Sequence, residues 1–222
     1  MQDKLHKIKR FKKFGTSFVK LFATLKTDPG TVGADASLSW VYPTYDHNQN
    51  FENKNKIGKG VLSQYSISFP SLKKTTSSKH SMKINSLIDY TVFQQWENGN
   101  EKSYEEFKKK IGKSLLDDAE KLYPGLNAII DSWDLYTPLD AKNTTQHHNG
   151  NIFGIPDTPE RYRSLEFNCR TPLKNVYLTG SDITSSGIYA TVLSSVLTTN
   201  VIFEDKQFFM KVLSGAREVA LP

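Results

Sequence analysis

The chain has 222 residues, 37% of them hydrophobic and 12% aromatic, which is enough for the core of one large domain or two small ones. Lysine and arginine number 29 against 23 acidic residues, and the modest net charge of +6 fits solubility, an anionic membrane surface or nucleic acid. One cysteine, Cys169, excludes an intrachain disulfide framework and fits a reducing cytoplasm. No apolar run approaches the roughly 18 residues of a membrane-spanning helix, so we expect none.

Residues 4–22 carry most of the excess positive charge and place apolar residues three or four apart, which is helical spacing. The segment is compatible with a helix on a membrane surface or with a solvated arm that leads into a strand. Gly15 and Thr16 interrupt the pattern and favour the arm. We therefore predict a basic arm over residues 1–16 and a strand over 17–26 that ends at the turn TDPG.

Three further strands are predicted over residues 36–43, 61–70 and 82–93, where apolar residues alternate with polar ones. The polar segment 45–60 is predicted as a loop or an exposed helix, and segment 72–81 as a loop. Because no strand–helix alternation precedes the first strong helix, the pattern indicates an α+β fold and not a complete doubly wound sheet.

The strongest predicted helix covers residues 103–126 and has a continuous apolar stripe. Ser103 and Glu106 are predicted as its capping box, and the sequence Tyr-Pro-Gly at 123–125 as its end. A short helical end that leads into a strand is predicted over residues 128–138.

An irregular stretch over residues 140–175, rich in glycine, proline and asparagine, follows this strand. Such stretches in compact domains are usually functional or disordered. After it we predict a strand over 175–179, a turn and a helix near 187–200.

The turn TGSDITSSGI at residues 179–188 is the most specific candidate site. Gly180 lacks a side chain, which lets another group approach the backbone, and the Asp182 carboxylate is placed to accept hydrogen bonds from a sugar or polyol. Gly187 opens the helix, whose free N–H groups and dipole favour negative charge. The turn is typical either of a cofactor site or of an Asp-capped turn before a helix.

Other chemistry-bearing residues show no recognisable arrangement. The adjacent side chains of His147 and His148 point apart, so we expect no metal site. The serines at 181, 185 and 186 lack a G-x-S-x-G elbow, which argues against a serine hydrolase. The sequence identifies no catalytic acid or base.

A series of motifs runs along most of the chain in one order: WVYPTYD (40–46), ISFPSLKKTT (67–76), FQQWENG (93–99), YEEFKKKIGKSLLDDAEKLYPGL (104–126), YTPLD (136–140), GNIFGIPDTPERYR (150–163), RTPLKNVYLTGSD (170–182) and Gly187. In this order and spacing the motifs resemble the C-terminal portion of the phytoene desaturase, carotenoid isomerase and retinol saturase family of flavoproteins. The resemblance covers nearly the whole chain from about residue 17.

The resemblance implies a FAD-dependent oxidoreductase that transfers hydride between flavin and a carbon–carbon bond of an apolar polyene or isoprenoid. It implies a FAD-binding fold in two parts, but the dinucleotide motif G-x-G-x-x-G of the family's N-terminal Rossmann half does not occur in this sequence. The chain then corresponds to a substrate-domain portion over residues 17–170, with a mixed or antiparallel sheet and helices. Residues 171–222 supply the last strand and helix of the FAD domain.

The resemblance also implies roles for individual residues. Gly180 and Asp182 lie at the ribityl and phosphate part of FAD, and Gly187 and the backbone of Ile188 lie near the pyrimidine end of the flavin ring. The helix N-terminus there would stabilise negative charge on the reduced flavin, while FAD does the redox chemistry. The residues implied near the flavin or substrate cavity are Thr137, Pro138, Phe153 and Gly154.

The chain departs from the family motif after Gly187, because Ala190 and Thr191 stand where the family has a glycine and an alanine. We expect FAD to bind only when a dinucleotide-binding half completes the site, with NAD(P) as a candidate electron partner. One alternative is a truncated or split-gene product without activity alone. Another is a basic module in which residues 4–22 bind a membrane surface or, less favoured, nucleic acid. Peripheral membrane contact of a cytoplasmic protein would suit an apolar substrate.

Overall fold

A computed structural model describes residues 16–73, 79–99, 101–164, 167–204 and 207–219. The chain forms two compact units, which divide between Ile152 and Phe153. We call residues 16–152 the N-terminal unit and the residues from 153 onward the C-terminal unit. The predicted domain boundary after residue 170 rests on family resemblance and stays a prediction. The predicted basic arm, except Thr16, lies outside the described residues.

The N-terminal unit is built on a five-stranded antiparallel sheet with the strand order β2-β3-β4-β1-β5. The strands are β1 (Ser17–Leu25), β2 (Leu38–Val41), β3 (Tyr65–Ser68), β4 (His80–Ile88) and β5 (Ile130–Tyr136). The prediction of an α+β fold is confirmed, and the sheet is antiparallel throughout.

Alternation in β1 and β4 gives the sheet one core face, as expected for an antiparallel sheet covered on one side. The inward residues are buried and include Val19, Leu21, Ile84 and Ile88. The long helix Glu101–Leu122 packs on this core face. Even residue numbers in β1 and odd residue numbers in β4 therefore lie on the opposite face.

Helix α1 (His47–Glu52) occupies the predicted polar segment 45–60, so the helical alternative is the correct one there. It begins at Asp46, whose carboxylate accepts a hydrogen bond from the Gln49 amide at 3.0 Å. A 3-10 helix over Asn53–Lys59 follows it. The prediction of a strand up to residue 93 is wrong, because β4 ends at Ile88 and 3-10 turns follow.

Helix α2 (Glu101–Leu122) buries Ile111, Leu115, Leu116 and Ala119 against the core. The predicted capping box is wrong, because the helix begins before Ser103, whose hydroxyl instead accepts a hydrogen bond from the Trp96 indole at 3.0 Å. The predicted end is confirmed: the helix stops at Leu122, and Gly125 has a φ of +94°.

Two short helices flank β5 in the N-terminal unit, namely α3 (Leu126–Ile129) and α4 (Pro138–Thr145). The first confirms the predicted helical end that leads into a strand. The second begins at Pro138, just before the predicted irregular stretch, and extends into it; Thr137 and Asp140 form its capping box.

The C-terminal unit contains α5 (Pro159–Arg163), α6 (Ile188–Phe203) and α7 (Phe208–Val219). Helix α6 confirms the predicted helix near 187–200. The predicted strand over 175–179 is wrong, because only an isolated bridge joins Tyr177 to Arg170. A strand needs a neighbour for its backbone groups, and in the described part of this unit only that short contact supplies one. No helix among the described residues is long and apolar enough to span a membrane.

Candidate functional site

The predicted turn of the C-terminal unit is bounded by two glycines with positive φ. The φ values are +103° at Gly180 and +109° at Gly187, a region that residues with a side chain rarely adopt. A Cβ atom built at either position meets no heavy atom within 4 Å. Backbone conformation, and not packing within this unit, therefore requires glycine at both ends of the turn.

Helix α6 holds the start of the turn through two buried hydroxyl groups. The Gly180 amide donates a 2.6 Å hydrogen bond to the hydroxyl of Ser194, and the hydroxyl of Thr198 donates to the carbonyl of Leu178 at 3.0 Å. Because Ser194 already accepts from the Gly180 amide, that amide is not available to a ligand. Gly180 can contribute close approach of a ligand to the backbone, but not this hydrogen bond.

Asp182 is exposed, and one of its carboxylate oxygens is already used within the unit. Its Oδ1 accepts a 2.8 Å hydrogen bond from the amide of Ile155. Gly154, with a φ of +70°, lies directly beside it, and a Cβ at this position would come within 2.2 Å of the same oxygen. No hydrogen bond to Oδ2 exists among the described residues, so this oxygen can accept one from a hydroxyl group. The structure thus brings together two of the predicted site residues.

A buried arginine that sequence analysis missed fixes the shape of the turn. The guanidinium of Arg161, with 2% of the residue exposed, donates to the carbonyl oxygens of Ile155, Ser181 (2.6 Å) and Thr184 (3.4 Å). It also donates to Asp157 Oδ1 at 2.8 Å. One side chain therefore ties the segment that follows Gly154 to the turn that contains Asp182.

Asp157 makes the second link between these segments. Its carboxylate accepts hydrogen bonds from the hydroxyls of Tyr162 (2.9 Å), Ser185 (3.1 Å) and Ser186 (2.7 Å), and from the Ser186 amide at 3.3 Å. Burial opposes the charged carboxylate, but the hydrogen bonds outweigh it and hold the pKa of Asp157 below its ordinary value. We call Arg161 and Asp157, with the groups they bind, the Arg161–Asp157 cluster.

The sequence carried a usable signal for this cluster. In the motif PDTPERYR, Thr158 caps α5 by accepting from the Arg161 amide at 3.2 Å, and Pro159 occupies the first helical position. Asp157 and Arg161 are then four residues apart at the start of a helix, a spacing at which their charged side chains can form an ion pair. This pattern does not reveal the partners in the turn before α6, which are Ser181, Thr184, Ser185 and Ser186.

The first turn of α6 is open to solvent. Gly187 supplies no capping side chain, and Ile188 and Tyr189 are 83% and 92% exposed. The hydroxyl of Thr191 donates to the Gly187 carbonyl at 3.0 Å, so the departure from the family motif adds a group that is satisfied within the helix. The carbonyl of Ala190 likewise accepts from Thr184 at 2.7 Å.

Apolar residues occur all around α6, and several are exposed within the C-terminal unit. They are Ile188, Tyr189, Val192, Leu193, Ile202 and Phe203. A helix that is apolar on all sides is normally buried, so this surface is typical of one that another protein segment covers.

Of the other predicted substrate residues, Phe153 is in the C-terminal unit and is 38% exposed. Thr137 and Pro138 lie in the N-terminal unit and are both buried. The Thr137 hydroxyl is 2.5 Å from the hydroxyl of Tyr104, and it also belongs to the capping box of α4. Burial raises the pKa of the Tyr104 phenol, which keeps it protonated. A Cβ at Gly150 would come within 1.9 Å of the Pro138 carbonyl. Both residues have structural roles here, and their place near a substrate stays a prediction.

The depression between α2 and β5 does not coincide with the predicted site. A depression of about 750 Å³ in the N-terminal unit lies between α2 and β5, with Lys108, Trp133 and Asp134 among its lining residues. It includes none of the predicted site residues. Among the described residues, no group of three or more histidine, cysteine or acidic side chains is arranged to hold a metal ion.

No protein-family model matches this sequence. The chain is 23% identical to a Danio rerio protein named all-trans-retinol 13,14-reductase, and the match covers 92% of this chain and 36% of the relative. It is 26% identical to a Danio rerio protein named inactive all-trans-retinol 13,14-reductase, over 86% of this chain and 34% of that relative.

A third relative, all-trans-retinol 13,14-reductase from Rattus norvegicus, is 22% identical over 86% of this chain and 34% of its own length. The chain therefore spans about a third of the length of the curated relatives it matches. The resemblance to the retinol saturase family that the motifs predicted is confirmed, as a similarity that covers about nine-tenths of this chain.

Proposed function

We propose that this chain is the C-terminal portion of a FAD-dependent oxidoreductase of the retinol saturase type. The complete protein transfers hydride between flavin and a carbon–carbon bond of an apolar polyene or isoprenoid, with NAD(P) as a candidate electron partner. The observation that carries the proposal is the similarity to proteins named all-trans-retinol 13,14-reductase over most of this chain.

The turn supports the cofactor part of this proposal. Asp182 Oδ2 is free to accept a hydrogen bond from a ribityl hydroxyl, and the first-turn amides of α6, from Ile188 onward, are open to an electron-rich group. Gly180 and Gly187 add no side chains that would obstruct approach. When bound, FAD supplies the hydride transfer.

The Arg161–Asp157 cluster gives the turn its shape without help from a ligand. Arg161 binds the carbonyls of Ser181 and Thr184, which flank the segment that carries Asp182. A turn that is already ordered loses little conformational entropy when a cofactor binds, which favours affinity. The chain's own contribution is therefore to orient Asp182 and the start of α6.

Completion by a dinucleotide-binding half is part of the proposal. The chain spans about a third of its relatives, and the motif G-x-G-x-x-G is missing from its sequence. The exposed apolar surface of α6 is the kind of surface that such a half would cover. We infer that the partner is a protein segment or separate chain that carries this motif.

A second candidate is a product of this family without redox activity. One relative, 26% identical, is named an inactive all-trans-retinol 13,14-reductase. The side chains of Ala190 and Thr191 at the predicted helix–flavin contact also favour weaker cofactor binding. In this alternative the chain keeps the fold and the turn, but the completed protein does not reduce or oxidise a polyene.

The test is FAD affinity of the chain in complex with a chain from the same genome that carries the dinucleotide-binding half. The change Asp182→Asn removes the charge and is expected to weaken FAD binding about tenfold, the loss of one charge-assisted hydrogen bond. Asp131→Asn makes the same change at an exposed position of strand β5 and serves as the matched control. Equal FAD dissociation constants for the two variants would contradict the role of Asp182, and a complex without FAD would contradict the proposed function.

A further inference from the structure

The face of the sheet opposite the core carries two rows of side chains that run across all five strands. The pairing register places one row through Lys20, and it consists of Trp40, Ser66, Asn85, Lys20 and Tyr136. The neighbouring row runs through Lys83, and it consists of Leu38, Ser68, Lys83, Phe22 and Asp134. We call this surface the outer sheet face.

Two like charges lie next to each other at the centre of the outer sheet face. Lys20 is opposite Asn85, and Lys83 is opposite Phe22, so the two lysines are diagonal neighbours on β1 and β4. Diagonal neighbours lie about 7–8 Å apart, within reach of long side chains. Both lysines are partly buried, and neither forms an ion pair among the residues that the structure describes.

The groups that face the two lysines do not neutralise them. By register, the acid of this face is Asp134, and its carboxylate is 3.5 Å from the ammonium of Lys108 on α2. Tyr136, opposite Lys20, is the other titratable group in the two rows. Burial and the charge of Lys83 lower the pKa of Lys20, as expected for an uncompensated cation. The positive charges of Lys20 and Lys83 are therefore complementary to an anion.

Apolar surface adjoins this positive centre. Phe22 is 47% exposed, and the Lys83 ammonium lies 5.7 Å from the centroid of its ring. On the edge strand, Leu38 and Trp40 are 48% and 53% exposed. Between the edge and the lysines lie Ser66 and Ser68, which are 3% and 8% exposed. The Ser66 hydroxyl accepts a 3.1 Å hydrogen bond from the Asn85 side chain, so the exposed surface here belongs to the larger side chains of the neighbouring strands.

We propose that the outer sheet face binds an amphiphile that consists of an apolar chain and one anionic head group. The head group lies between Lys20 and Lys83, and the chain extends across the outer sheet face towards Leu38 and Trp40. Phe22 contacts the part of the chain next to the head group. This site needs no flavin, so it stands or falls independently of the proposed function.

The probe is parinaric acid, a fatty carboxylate with a conjugated polyene chain whose fluorescence rises in apolar surroundings. The full chain, without a partner or FAD, is titrated at low salt with the acid and with its uncharged methyl ester. We expect the acid to bind about tenfold more tightly than the ester, and added salt to reduce this difference. Equal affinities for the acid and the ester, or no binding of either, would overturn the proposal.

Variants then locate the site. The double variant Lys20→Gln/Lys83→Gln is expected to bind the acid as weakly as the ester. Lys110→Gln is the matched control, because Lys110 is exposed on α2, which packs on the opposite face of the sheet. Unchanged binding by the double variant, or an equal loss in Lys110→Gln, would overturn the assignment, and thermal unfolding checks that each variant is folded.

Competition identifies the head group. Laurate and dodecyl phosphate share one apolar chain and differ in their anion, so displacement of parinaric acid ranks carboxylate against phosphate. Displacement by either compound supports the site. Failure of both to displace the probe contradicts it.

Discussion

The guanidinium of Arg161 donates a 2.6 Å hydrogen bond to the carbonyl oxygen of Ser181. The arginine is buried at the start of α5, and the serine precedes Asp182 in the turn before α6. A charged donor with several backbone acceptors fixes loop geometry more firmly than neutral bonds do. This relationship explains how the predicted turn is shaped by a residue from a different part of the sequence.

Replacement of this arginine is expected to loosen the turn. Arg161→Met leaves three carbonyl oxygens without their donor and removes the ion pair with Asp157, and we expect a loss of about 2–3 kcal/mol in the C-terminal unit. Arg161→Lys keeps the charge but not the planar fork, so it should restore only part of the loss. Hydrogen exchange of the amides of α6 measures the effect.

The control is Arg163→Met, which removes an exposed arginine from the same helix. Exchange rates in this variant should stay at the wild-type level. Equally fast exchange in both methionine variants would show that Arg161 does not hold the turn.

The Asp157 carboxylate is expected to give the C-terminal unit a defined pH dependence. Because its pKa in the folded protein is below the ordinary value of 3.8, its contribution is fully present above that pH. The contribution is lost as the pH falls through the lowered value. The melting temperature of wild type should therefore exceed that of Asp157→Asn near neutral pH, and the two should converge only as the pH falls below the lowered pKa of Asp157. A difference that stays constant with pH would refute this role.

Two glycine substitutions should change stability in opposite directions. Gly154→Ala forces a side chain into positive φ and into contact with Asp182 Oδ1, and we expect destabilisation by about 2–3 kcal/mol. Gly215→Ala lies in α7, where an added Cβ meets no atom within 4 Å, and should stabilise by about 0.5–1 kcal/mol. Urea unfolding compares the two variants. Similar effects from both would show that Gly154 has no special conformation.

Neutralisation of one central lysine should stabilise the protein when no ligand is present. Lys83→Gln removes the like charge beside Lys20, and we expect a gain of about 0.5 kcal/mol at low salt. The lowered pKa of Lys20 means that its charged form costs folding free energy at neutral pH. This cost disappears as the pH rises towards 10.5, because Lys20 then loses its proton. Urea unfolding at neutral and alkaline pH measures the gain. No gain at neutral pH and low salt would contradict the uncompensated pair.

Sequence alone predicted the parts of the fold that depend on local periodicity. Strand β1 and helix α2 have regular apolar patterns because each covers one side of a single core. The predicted strand over 82–93 was too long because Tyr90 and Phe93 continue the apolar pattern into 3-10 turns, where they are also buried. The capping pattern at Ser103 occurs inside a helix that begins earlier.

The candidate site could be predicted only where the local backbone conformation requires a particular residue type. Gly180 and Gly187 were predicted at the two ends of a turn, and the structure shows that both have positive φ there. The contact of Gly154 with Asp182 joins residues far apart in sequence, and no local pattern encodes it. The partners of Arg161 are mostly backbone carbonyls, which every residue possesses, so the sequence could not identify them.

We propose that this chain supplies one part of a flavin site. The most direct measurement is the flavin absorbance of the purified chain, alone and in complex with a chain that carries a G-x-G-x-x-G half. We expect a colourless preparation of the chain alone and one bound FAD in the complex. A yellow preparation of the chain alone, or a complex that forms and retains no FAD, would contradict it.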